Sequence, residues 1–69
     1  MTLPDLFRQR LAAAMARRGV TQTALAEAAQ TTQSNVSRVL SGEQATVSID
    51  YAERLARAVG VELWRLLKP

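Results

Sequence analysis

With 69 residues the chain has material for one domain and a limited core, so its stability must come from a very regular fold or from a partner. It contains no cysteine and no histidine, which removes disulfide staples, thiolate and imidazole metal ligands, and the commonest general base. Nine Lys and Arg, most of them arginine, against six Asp and Glu leave a formal net charge of +3, a balance that favours a polyanion partner without establishing one.

A first helix is predicted from the region of Thr2 to Pro4, where Thr2 and Asp5 resemble a capping box and Pro4 suits a first turn. Leu3, Phe7, Leu11, Ala14 and Met15 recur at helical spacing and are expected to face the core. Arg17 and Arg18 suit the negative end of the helix dipole, and Gly19 suits a left-handed cap. Arg8 and Arg10 fall away from the apolar stripe and read as solvated or salt-bridged.

Thr21 is a good N-cap for a second helix over 22–29 that buries Leu25, Ala26 and Ala29. Thr32 can cap a third, from Gln33 to about Leu40, with Val36, Val39 and Leu40 apolar and Gly42 closing it. Residues 43 to 47 read as a loop. Ser48 caps a fourth helix over 49–59, with Ile49, Ala52, Leu55, Ala56 and Val59 inward, and Gly60 ends it. A short fifth helix over 61–67 is built on Leu63, Leu66 and Leu67. There is no strand signature, so the fold class is all-α: five short helices in a single domain over 1–69. No run approaches the roughly 18 apolar residues of a membrane span, and residues 1 to 5 lack the order of a secretion signal. A cytoplasmic protein without a membrane partner is expected.

The third helix carries unusual chemistry for a surface element. Val36 and Val39 anchor it, leaving Gln33, Ser34, Ser37 and Arg38 on the opposite face. Between Ala28 and Gly42 the only charged residue is Arg38, and there is no acid. A generic solvated helix would carry glutamate and lysine. Glutamine, serine and arginine are instead the types that pair with base edges, and an acid-free face avoids repulsion by phosphates. Ala26 lies where the second helix must pass close to the third.

At these residues the stretch from Val20 to Gly42 resembles the helix-turn-helix of the phage lambda repressor and Cro superfamily. The likeness rests on Gln22, Ala26, Thr32-Gln33-Ser34, Val36, Val39 and Ser41-Gly42, and extends through Ser48 to Val61. The resemblance implies a five-helix lambda-repressor-like domain with its helix-turn-helix at the second and third helices, the third entering the major groove of double-stranded DNA. It implies base contacts from Gln33, Ser34, Ser37 and Arg38, and phosphate contacts from Gln22, Thr32, Asn35, Ser41 and Gln44. It further implies a transcriptional regulator, a repressor by analogy, that acts on a palindromic operator as a homodimer, at least on DNA, with Trp64 and Leu67 of the fifth helix as interface candidates.

Two departures stand out. The family usually has glycine at the position held here by Gln30, because the backbone there is left-handed; glutamine in that conformation costs roughly 1 kcal/mol. Glu43 places an acid close to where the DNA backbone would run. Trp64 reads equally as an aromatic lying over the core edge, and Tyr51 shares that ambiguity. The competing function is a protein-interaction module of the same fold, such as an antitoxin or adaptor domain. An enzyme is not expected, nor any cofactor, metal or small-molecule substrate.

Overall fold

The computed structural model describes residues 2–44 and 46–68. Among them are five helices: α1 (Leu3–Arg18), α2 (Gln22–Ala28), α3 (Gln33–Ser41), α4 (Ile49–Ala58) and α5 (Leu63–Leu67). Ala45, inside the loop expected over 43–47, lies outside the described residues.

Each of the first four helices starts where a hydroxyl can replace a missing backbone partner. The Oγ atoms of Thr2, Thr21, Thr32 and Ser48 accept from the amides three residues on, at 3.3, 3.1, 3.1 and 3.1 Å. Asp5 also accepts from the Arg8 guanidinium. That bond, with a further contribution from Thr2, holds the Asp5 carboxyl below its ordinary range.

Three of the helices end in one way. The amides of Val20, Thr31 and Val61 bond back to Met15, Ala26 and Ala56 at 2.9, 2.9 and 3.0 Å, across a residue of positive φ. That residue is Gly19 or Gly60 at two of these ends, and Gln30, with φ 58°, at the third. The strain expected at Gln30 is therefore present. The same closure explains why α5 starts at Leu63 and not at Val61: the Val61 amide is spent on ending α4, and Glu62 becomes the N-cap.

The core is wholly apolar among the described residues. Phe7, Leu11, Ala14 and Met15 from α1 meet Leu25 and Ala26, Val36 and Val39, Ala52, Leu55 and Ala56, and Leu66. Small side chains do the close work. Ala26 and Ala56, 4% and 0% exposed, sit where a larger residue would push the helices apart. α3 packs on α2 and α1, while α5 packs on α1 and α4. Arg10 fastens α5 by donating to the carbonyls of Leu66 and Lys68, so it is internally bonded and not a free surface cation.

Two residues expected inward are not. Leu3 and Ile49 are 63% and 73% exposed. Each is the first residue of its helix, and a helical side chain leans back over the preceding turn, which does not exist there. They overhang a shallow apolar trough instead, with Phe7, Val47, Leu63 and Leu67 among its lining.

Candidate nucleic-acid interface

The site is built from one face of α3 and the ends of its neighbours. Val36 and Val39, 0% and 2% exposed, fix the rotation of the helix about its axis. That rotation turns Gln33, Ser34, Ser37 and Arg38 to solvent, all four exposed. Gln22, half-buried at the first position of α2, borders the same polar hollow, and Glu43 closes its far side. Five of the residues singled out by sequence thus share one surface depression, and one carboxylate shares it with them.

The other four phosphate candidates lie around this hollow with internal partners of their own. Thr32 caps α3, accepting from the Asn35 amide. The Asn35 side chain is half-buried and donates from Nδ2 to Thr31 Oγ1 at 3.2 Å. Ser41 Oγ donates to the Arg38 carbonyl at 3.2 Å and accepts from the Glu43 amide at 3.3 Å. Gln44 donates its amide to the Arg38 carbonyl and its Nε2 to Thr46. These bonds shape the entry to and exit from α3, yet the Thr32 hydroxyl and the second Nδ2 or Nε2 proton of Asn35 and Gln44 are left to donate outward.

Three side chains reach the site from outside the helix-turn-helix, and their contacts with it span 20 or more residues of chain. Arg8, paired with Asp5, lays its guanidinium against Gly42, so that a Cβ there would sit 3.3 Å from Arg8 Cζ. Arg54 and Tyr51 reach from α4 to the turn between α2 and α3. The Tyr51 hydroxyl lies 3.1 Å from Thr31 Oγ1.

Leu67 lines the apolar trough. Trp64, 61% exposed, lies in a different depression with Arg18, Arg57 and Arg65, and the Arg65 guanidinium stands 5.2 Å from its ring centroid.

The fold and this face define a class: a small all-α domain that presents the second helix of a helix-turn-helix outward, with hydrogen-bonding side chains free of acids along its own length. Residues 6–64 match the model of the helix-turn-helix domain family. The chain belongs to that family, in keeping with its resemblance to lambda-repressor-type domains, and DNA is the partner the family supports. No curated protein and no solved structure matches it. Among the described residues, no helix is long and apolar enough to cross a membrane.

The acid at the edge of the hollow gives a direct expectation. Glu43→Gln should tighten DNA binding roughly twofold to fivefold at low salt, because a carboxylate lining this hollow repels any polyanion that approaches it. The gain should vanish at about 0.5 M salt as the charges are screened. A gain that persisted at high salt would mean that Glu43 acts through the shape of the α3 exit and not through its charge.

Proposed function

We propose that this domain is a sequence-specific reader of double-stranded DNA, a transcriptional regulator of the repressor kind, with α3 in the major groove. The observation that carries the reading is the shared hollow, where Gln33, Ser34, Ser37 and Arg38 stand exposed beside Gln22. Glutamine matches the donor and acceptor of adenine, arginine the two acceptors of guanine, and serine either base. Gln22, Thr32, Asn35, Ser41 and Gln44 are the phosphate neighbours, and they set the register of the helix on the duplex. No cofactor and no small-molecule substrate enters this function.

A nine-residue helix reaches about four base pairs, too few to single out a site. The domain therefore acts as a homodimer on a palindrome, at least on DNA. The face that supports this is the trough under Leu3 and Ile49, since apolar side chains protruding beside an apolar trough are self-complementary about a twofold axis. Leu67 belongs to that face; Trp64 lies off it. The domain measures 27 × 23 × 20 Å, a size at which two copies in contact can set their reading helices the required ~34 Å apart.

The exposed Trp64 among three arginines favours one second reading, a protein-interaction module. Selection of bound sequences from a random pool of duplex DNA separates the two. A palindrome with half-sites about 10 base pairs apart supports the dimeric reader. Binding without an enriched motif leaves only nonspecific attraction to a basic protein, and no binding at low salt favours the interaction module.

A further inference from the structure

We propose that Arg54 and Tyr51 of α4 are positioning residues that lock the turn between α2 and α3 and so aim the base-reading face, a role that rests on the DNA-reading function above. Arg54 donates from Nε and Nη2 to the Ala29 carbonyl at 3.1 and 2.8 Å, and from Nη2 to the Gln30 carbonyl at 3.0 Å. Three charge-assisted bonds thus grip two consecutive carbonyls at the C-terminal end of α2. Beside them the Tyr51 hydroxyl meets Thr31 Oγ1, and that same oxygen accepts from Asn35 Nδ2 in the first turn of α3. The Arg54 guanidinium stands 5.6 Å from the Tyr51 ring centroid, so the two side chains brace one another. A continuous polar path therefore runs from α4 through residues 29–31 to Asn35, within one turn of Gln33, Ser34, Ser37 and Arg38.

The clamp falls where the backbone most needs one. Gln30 is the only non-glycine residue of positive φ among the described residues. A left-handed conformation disfavours any residue with a Cβ against glycine, and bonds from Arg54 to the flanking carbonyls hold the turn in that conformation. At the ends closed by Gly19 and Gly60 no side chain grips the flanking carbonyls in this way among the described residues. Val36 and Val39 fix which face of α3 looks outward, while the aim of its first turn depends also on how residues 29–31 hold its start. Base-edge hydrogen bonds demand a closely held geometry, so loosening the clamp should reduce discrimination between sequences more than it reduces attraction to phosphates.

The test compares the wild-type domain with Arg54→Met, Arg54→Lys, Gln30→Gly and the double variant Gln30→Gly/Arg54→Met, each checked for helix content by circular dichroism. The first readout is the ratio of affinity for the selected duplex to affinity for a scrambled duplex, which is independent of the fraction of protein folded. We expect Arg54→Met to lower this ratio about tenfold, while affinity for the scrambled duplex changes less than about threefold. Arg54→Lys, which keeps the charge and can reach one carbonyl, should fall in between. Gln30→Gly should restore several-fold of the loss in the double variant and change the wild type less than about twofold.

The second readout needs no DNA. In Arg54→Met the Thr31 amide, bonded to Ala26, should exchange its hydrogen about tenfold faster, while the Val20 amide, bonded to Met15, keeps its rate. An unchanged affinity ratio, or equal acceleration at Thr31 and Val20, would overturn the proposal and make Arg54 a residue of general stability. If the wild type prefers no sequence at all, the aiming role falls with the DNA-reading function, and the exchange rates still decide whether Arg54 clamps the turn.

Discussion

Leu55→Ala should destabilise the domain by about 2–5 kcal/mol, measured as a fall in the urea midpoint at an unchanged slope. Leu55 is 0% exposed on α4, which packs against both α2 and α5. Truncating it removes buried apolar contacts and leaves a cavity into which a close-packed core collapses only in part. A domain of 69 residues has roughly 3–10 kcal/mol of total stability. The loss is therefore comparable with the whole, and a sizeable fraction of the protein should be unfolded at growth temperature. Leu3→Ala is the matched control, since its side chain is 63% exposed in the single chain. At a concentration low enough to prevent self-association it should shift the midpoint by less than about 0.5 kcal/mol. Equal losses at both positions would mean that the trough contributes to the folding of the monomer.

Arg38→Ala should cost about 1–3 kcal/mol in affinity for the selected duplex and relax the preference at one position of each half-site. The guanidinium is exposed and stands in the hollow with Gln33, Ser34 and Ser37, so its removal leaves the core untouched. Gln33→Ala should have an effect of the same size at a different position. The loss of base readout separates from the loss of charge by salt. A phosphate contact weakens all sequences alike and flattens the salt dependence by about one counterion, whereas a base contact spares the scrambled duplex. Uniform weakening by Arg38→Ala would make it a phosphate residue and shift the reading to Gln33 and the serines.

Much of this was legible in the chain because the information is local. Thr2, Thr21, Thr32 and Ser48 announce helix starts through bonds spanning three residues, and all four bonds form. Val36 and Val39 determine the outward face of α3 by helical spacing alone. Leu3 and Ile49 escaped the same logic because periodicity is blind to helix ends, where the turn that a side chain would cover is missing. Periodicity starts α5 two residues early because Val61 is apolar and in phase, yet its amide belongs to the closure of α4. The contacts that Arg54, Tyr51 and Arg8 make with the site could not be assigned from sequence, since the residues they touch there lie 20 or more positions away; only the ion pair of Arg8 with Asp5 is local, and the sequence allowed for it. Gln30 gave the one available hint. A side chain where the backbone favours glycine needs support from elsewhere, and that support turned out to be an arginine on α4.

The central claim is that the outward face of α3 meets the bases. The most direct test is to follow backbone amide NMR signals of the labelled domain as the selected duplex is added. The largest shifts should fall on Gln33, Ser34, Ser37 and Arg38, with Gln22 next and the surroundings of Trp64 nearly silent. Largest shifts at Arg18, Arg57, Trp64 and Arg65, with α3 unmoved, would contradict it and place the DNA on the arginine-rich depression beside Trp64.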